Sequence, residues 1–406
     1  MSGEKDKIVI FPAAQYQIPL FQAAQARGLE VITFDREPKN PGHKVAEYAA
    51  VIDVRDAEQV VTYLSDFSFH AIAVPCSDIS LQTLALIGER FGLKAPSAQL
   101  VEQFTNKIAF RRLQSDHGLH CPPHLEVDVA DPDLDQVFND DTDRLVVKPN
   151  QSSGSKGISI IGRHSPLAGP VAYAKANSLD GRVLVEACVD GAHGTFEGFL
   201  VDGKIGPHIV TKRIRHTDGI GTVGHVVPSD FPKTDLDSLH SSLVTLFSLF
   251  DYRSGPVDAD FILNDKGLTI VEASPRLGGN ALSRLFEVAT CEASEDLYLD
   301  WLFDRDLPAQ NTIEIRPSAA LLLTSPVPGK LRFNDAKMKS FVADWLIHIE
   351  LDYADGDDVR AFKDGRDRIG ELILLCDDHA DGLRKRDWLL EHIEYEIVAH
   401  QVAHGS

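Results

Sequence analysis

The chain has 406 residues, of which 43% are hydrophobic and 25% charged, and it carries a formal net charge of −21. That length exceeds what one core organises and predicts two to three domains of ordinary globular composition. The acidity excludes a nucleic-acid partner or an anionic membrane surface, because either needs a basic face, so any phosphate site has to be a local basic island. The cysteines Cys76, Cys121, Cys188, Cys291 and Cys376 are odd in number and scattered, without a Cys-x-x-Cys pair, which argues against a disulfide framework or a zinc knuckle. A polar N-terminus leads straight into a strand and no apolar run approaches spanning length, so the expectation is a cytoplasmic protein with no membrane partner.

Residues 7–94 alternate short apolar runs with amphipathic stretches: Ile8–Phe11, Glu30–Phe34, Ala49–Ile52 and Ala71–Pro75 as strands, with helices over Ile18–Arg27, Ala57–Leu64 and Leu81–Phe91. This βαβ rhythm predicts a parallel sheet covered by helices, with ligands beyond the strands' carboxyl ends, where Ala13–Gln17, Asp35 and Ser77-Asp78 lie. The first strand's loop has no Gly-x-Gly-x-x-Gly, which disfavours a dinucleotide site. Thr105-Asn106-Lys107 then opens a helix to about His117. His117, His120, Cys121 and His124 are close in sequence, but Gly118, Pro122 and Pro123 break any helix that would present them together, so a linker is expected rather than a metal site.

The strand Arg144–Val147 runs into Lys-Pro-Asn-Gln-Ser-Ser-Gly-Ser-Lys-Gly, residues 148–157, and a second strand over Ile158–Ile161. A Ser/Gly loop can turn backbone N–H groups toward an anion without a Cβ in the way. Lys148, at an apolar strand end, needs an anion, and Lys156 adds charge across the loop. The loop leads into a strand rather than a helix and lacks the Walker pattern. Further on, Val183–Glu186 and Thr195–Val201 read as strands, and Thr211–His216 with Gly219–Val227 as a glycine-punctuated basic loop, in which Lys212, Arg213 and Arg215 are candidates for an anionic substrate.

Strands Gly255–Leu263 and Leu268–Ser274 flank the turn Asn264-Asp265-Lys266-Gly267. If the hairpin centres on Lys266, Asp260 lies opposite Glu272 and Asp258 opposite Ser274 on one face. Opposed carboxylates repel unless a cation sits between them, and magnesium fits that demand. Gly279-Asn280 opens a helix over Ala281–Ala289, whose N-terminal amides face an anion. Beyond Arg316 come strands near Ala319–Leu323, Leu346–Leu351 and Leu372–Leu375 and a helix over His379–Glu394.

The Lys148–Gly157 loop resembles the glycine-rich lid of the ATP-grasp family, and Glu272-Ala-Ser-Pro-Arg276-Leu-Gly-Gly-Asn280 resembles its Glu-x-Asn-x-Arg metal strand. The resemblance implies an α/β and α+β multidomain protein: a Rossmann-like domain over 1–95, an ATP-grasp domain over 96–312 with its lid near 122–187, and a small β-rich closing domain over 313–406, as in biotin carboxylase-like enzymes. It implies ATP held by Lys107, Lys148, Ser152, Ser153, Gly154, Ser155, Lys156 and Gly157, with Glu186, Cys188 and Val189 at the adenine. His193 stands where a family glutamate usually contacts the ribose, while Glu197 is retained. Mg2+, with Mn2+ as the alternative ion, would be held by Asp260, Glu272 and Ser274, the last in place of the usual Asn. Arg276 and Lys148 are the implied catalytic cations, and Gly278, Gly279 and Asn280 join the substrate candidates. The activity implied is an ADP-forming carboxylate–amine ligase passing through an acyl phosphate, with small-molecule carboxylate and amine substrates, and a homodimer is compatible with it. Asp35 and Pro41-Gly42-His43-Lys44 resemble the group that includes stand-alone amino-acid ligases. A bicarbonate-using carboxylase is the second reading, and a nucleotide-binding protein without catalysis, whose sequence mark would be loss of Asp260 or Glu272, is the third.

Overall fold

The computed structural model describes residues 5–399 apart from 129–133, 135–137, 139–141, 153, 217–220, 335–343, 364 and 394. The first sheet is β1 (Lys7–Ile10), β2 (Glu30–Phe34), β3 (Tyr48–Ala50) and β4 (Ala71–Ala73), all parallel in the order β3-β2-β1-β4. Its strands are short apolar runs because both faces are covered. Ile8 and Ile10 pack toward the middle of the molecule, while Val9 and Phe11 pack on the outer helices. The inner core also takes Phe199, Ile209, Leu285 and Ile373, so this sheet is welded to the rest of the chain by apolar burial.

A four-stranded antiparallel sheet of β5 (His124–Val127), β6 (Arg144–Pro149), β7 (Ser159–Gly162) and β8 (Val183–Ala187) stands apart in the order β5-β8-β6-β7, with its own core around Leu145, Val147, Val183 and Val185.

The largest sheet has eight strands. It contains β9 (Ala192–Val201), β10 (Lys204–Arg215), β11 (Thr222–Val227), β12 (Gly255–Asn264), β13 (Gly267–Ser274) and β14 (Ser318–Leu323). After β15 (Gly329–Phe333), β16 (Leu346–Leu351), β17 (Asp358–Val359), β18 (Gly370–Leu375) and β19 (Tyr395–Ala399), its order is β13-β12-β9-β10-β11-β14-β18-β16, and β17-β15-β19 make a small separate sheet. The boundary expected at residue 313 therefore does not separate two sheets, because β14 pairs with β11 in register Val226↔Ala319. The runs Ser318–Leu323 and Gly370–Leu375 are apolar enough to be interior strands, and they continue the main sheet. Among the described residues no helix is long and apolar enough to cross a membrane.

The basic stretch Thr211–Arg215, expected as a loop, is the end of the twelve-residue strand β10. Alternation of Val210, Lys212 and Ile214 with Thr211, Arg213 and Arg215 satisfies period two, and pairing to β9 and β11 on both sides overrides the charge. Between β10 and β11 the His225 ring is buried, its Nδ1 2.9 Å from the Thr211 hydroxyl. Burial, reinforced by Arg213, lowers its pKa from 6.5 to about 3. The unfolded chain takes up this proton as pH falls below 6.5 and the folded chain does not until about 3. The stabilisation is thus present above 6.5 and is lost on acidification through that window. His225→Gln should flatten the dependence of unfolding free energy on pH by up to about 1.4 kcal/mol per pH unit in urea titrations between pH 6.5 and 4. Equal slopes for the two proteins would remove this account of His225.

Candidate active site

The helix Lys107–Asp116 begins where Asn106 ends the preceding helix, and the Asn106 side chain accepts from the Ala109 N–H at 3.0 Å. Two further orphan donors of that helix end are satisfied by Asn150, from the loop after β6: its carbonyl accepts from Lys107 N–H at 3.1 Å and its side-chain oxygen from Ile108 N–H at 2.9 Å. Asn150 is fully buried and so fixes the loop against the helix start. The result places Lys107 Nζ 3.1 Å from the Ser152 carbonyl oxygen, to which it donates. Gly154, Ser155 and Gly157 have φ of 66°, 61° and 83°, the left-handed region that brings successive N–H groups to one side. A Cβ at Gly157 would lie 2.5 Å from the Pro149 ring, so glycine is required there.

Lys148 is buried at the end of β6, and the anion it needs is Glu186 on the neighbouring strand β8. The Glu186 carboxylate also accepts from Arg111, Nε to Oε2 at 2.9 Å and Nη2 to Oε1 at 3.4 Å. Burial alone would raise this carboxyl, but Arg111 and Lys148 outweigh it and bring it down to about 2. Burial lowers the Lys148 ammonium, and the neighbouring Arg111 and Lys107 add to that against the pull of Glu186. Sequence reasoning missed Arg111 and Asn150. The signal for Arg111 was present: Lys107, Arg111 and Gln114 fall on one face by helical spacing, and a polar pair on a face shared with Ile108 has to be matched from inside.

At the other end of the site, β12 and β13 put Asp260 opposite Glu272 and Asp258 opposite Ser274, as the period-two register required. The turn end differs from it. Asn264 pairs with Gly267 and Phe261 with Ile270, so the hairpin centres between Asp265 and Lys266 and the register shifts between Asp260 and Phe261. The irregularity leaves Val271 as an extra residue, and it is what rotates Glu272 onto the face of Asp260. One Asp260 oxygen accepts from the Thr195 hydroxyl at 2.6 Å and the other pairs with Arg213. Glu272 is exposed, without a hydrogen-bond or ion-pair partner among the described residues. Ser274 is buried, donating its hydroxyl to Asp78 at 2.8 Å.

Arg276 donates from Nε and Nη2 to the two oxygens of Asp78, at 2.7 and 2.8 Å, and from Nη1 to Asp258 at 2.8 Å. Burial works upward on Asp78, yet the Arg276 guanidinium holds the carboxyl below its usual range. Beneath them Glu197 is fully buried and accepts the Gly278 N–H with both oxygens, at 3.0 and 2.9 Å. Burial and the facing Asp258 push the Glu197 carboxyl well up. The His193 imidazole, lowered to about 3 by burial, Arg215 and Arg213, is neutral and accepts from Arg215 Nη1 at 2.6 Å.

These groups surround one cleft of about 630 Å³. Its walls include Lys107, Lys148, Ser152, Gly154, Ser155, Lys156, Glu186, Cys188, Val189 and His193 on the lid side, and Arg213, Arg215, Asp260, Glu272, Arg276, Gly279 and Asn280 on the body side. Gly157, Ser274 and Gly278 lie behind these walls, and Ser153 falls outside the described residues. Lys212 is the neighbour that alternation turns away, paired at 2.7 Å with Asp230. The N-terminal sheet contributes Tyr16, Cys76 and Asp78 beyond its strand ends, while Asp35 is used structurally, accepting from Ala13 N–H and the Asn40 amide. A hard cation suits the donor set of Asp260 and the unpartnered Glu272, which offers only oxygen, with lysines across the cleft to receive phosphates.

The chain is 31% identical over 199 residues to the formate-dependent phosphoribosylglycinamide formyltransferase of Burkholderia vietnamiensis, an alignment covering 47% of this chain and 48% of that protein. It spans about half the length of the curated relatives it matches. The L-amino acid ligase from Bacillus licheniformis shares its fold with a TM-score of 0.80 at 15% identity, covering 99% of this chain and 100% of that one. Phosphoribosylglycinamide synthetase from Anaerococcus prevotii gives 0.75 at 16%, covering 98% and 100%. Residues 104–280, from just before the helix that carries Lys107 to the turn at Asn280, match the ATP-grasp domain family.

Proposed function

We propose that the chain is an ADP-forming ligase that uses ATP to activate a small carboxylate as its acyl phosphate and joins it to an amine. The observation that carries this reading is that one cleft is lined by two buried or half-buried lysines and a glycine-serine loop on one side and by the Asp260–Glu272 pair and Arg276 on the other. Phosphoryl transfer needs positioning and charge stabilisation rather than a covalent nucleophile, and these groups supply both. Lys107, Lys148 and the loop amides would hold the phosphates, with Cys188 and Val189 at the purine. Glu186 would set the Lys148 ammonium rather than offer its own side chain, since its carboxylate is already taken by Arg111 and Lys148. Asp260 and Glu272 would hold Mg2+, which when bound neutralises phosphate oxygens. The Arg276 fork, braced by Asp78 and Asp258, would face the charge that develops on the transferring group. The relatives' printed name makes formate the first acid to try, and the L-amino acid ligase makes amino acids the second.

Hydroxylamine added with Mg-ATP and the correct acid should give a hydroxamate and ADP without the natural amine. Formate and a panel of amino and hydroxy acids are the substrates to screen. Bicarbonate yields no stable hydroxamate, so bicarbonate-dependent ADP release with an empty panel would favour the carboxylase. ATP binding with no ADP from any acid would favour a protein that binds nucleotide without catalysis.

Glu272→Gln should lower turnover by about a hundredfold or more, which is roughly 3 kcal/mol of lost transition-state stabilisation. Its thermal unfolding should match the wild type, because this side chain is exposed and unpartnered among the described residues. Unchanged turnover would show that the carboxylate pair is not the metal site.

A further inference from the structure

Arg111 is among the largest side chains that are wholly buried, and nothing in the reaction calls for it to touch a reacting atom. Its guanidinium is held from three directions: by Glu186 of the lid, by the Gln114 side-chain oxygen at 2.8 Å on its own helix, and by the Ile270 carbonyl at 3.4 Å on β13. Glu186 in turn pairs with Lys148. The group therefore contains two cations and one carboxylate, a surplus of one positive charge inside a chain whose net charge is −21. A Lys148–Glu186 pair without Arg111 would be neutral, and a neutralised ammonium has little left to offer a phosphate. With Arg111 sharing the carboxylate, the ammonium keeps a field that only a further anion completes.

We propose, resting on the nucleotide reading above, that Arg111 is a positioning residue: by taking up Glu186 it leaves the Lys148 ammonium incompletely paired and available for an ATP phosphate, and through Ile270 it sets the β8 side of the cleft against the strand that carries Glu272. Because the group is buried, solvent screens its surplus charge less than it would at the surface.

The test compares the dissociation constants of Mg-ATP and of adenosine, by calorimetry, for the full chain and its variants. Arg111→Met should weaken ATP by about tenfold or more while adenosine changes by less than about threefold, because the loss is confined to the phosphate end. Arg111→Lys should restore most of the ATP affinity. In Arg111→Met/Glu186→Gln the carboxylate that would neutralise Lys148 is gone, and the ratio of the two affinities should return toward the wild-type value. Should Arg111→Met not fold, Arg111→Gln keeps a hydrogen bond to Glu186 without charge and carries the same comparison. Equal weakening of ATP and adenosine, or no recovery in the double variant, would assign Arg111 a packing role only and overturn the proposal. A wild-type chain that binds no ATP would overturn the nucleotide reading, and this proposal with it.

Discussion

The Arg276 guanidinium ties the N-terminal sheet to the main sheet at the cleft. Arg276 leaves β13, bonds both oxygens of Asp78 beyond β4 and reaches Asp258 on β12 with its third nitrogen. Around it Cys76 N–H donates to the Leu277 carbonyl at 3.0 Å, and the Cys76 thiol donates to the Gly278 carbonyl at 2.8 Å. The apolar core brings the N-terminal sheet against the main sheet, and because apolar burial is not directional, this bidentate pairing, with the Arg27 pairs to Asp296 and Asp300, adds direction to the docking. Removing either carboxylate would leave the partly buried guanidinium half compensated, so the docking and the electrostatics of the cleft are one constraint.

Much of the fold was legible because it is written locally. The βαβ rhythm of residues 7–94, the Ser/Gly hairpin and the carboxylate hairpin each declare themselves through period, turn chemistry and apolar runs within a few residues. What was not legible depends on pairing across the chain. Charge made Thr211–Arg215 read as a loop, whereas two strand partners make it an interior strand. The shift at Val271 is invisible in a symmetric count of the hairpin, because the two-residue turn and the extra residue compensate over Asp258–Asp260 and the count departs from the structure only from Phe261 to the turn. Glu186 was expected to offer its side chain at the adenine, but its carboxylate faces Arg111, a contact made across 75 residues that no local pattern encodes. Asp78 lay within the loop expected to line a pocket, though its bond to Arg276, 198 residues away, was not foreseeable from spacing.

The acidic balance of the chain and the chemistry of the cleft fit together. Positive side chains are gathered at Lys107, Arg111, Lys148, Lys156, Arg213, Arg215 and Arg276 around one cavity, while the chain as a whole has a net charge of −21. Such a field draws a polyanion to one place and discourages nucleic acid, which needs a continuous basic track. Carboxylates are used sparingly inside the cleft. Glu186, Asp78 and Asp258 orient cations there, and Asp260 and Glu272 face each other.

The continuous eight-stranded sheet has a consequence for how the chain can be cut or fused. Since β14 pairs with β11 along Gly224–Val227, residues after 313 are not an appended module but the cover of an interior strand. A fragment ending before β14 would present β11 as an open edge, a row of unpaired N–H and C=O groups beside Val226 and Val227, and such edges recruit other chains. Fusion partners and affinity tags therefore belong at the termini, and a minimal fragment limited to residues 104–280 would carry the family's signature without the strands that keep its sheet soluble.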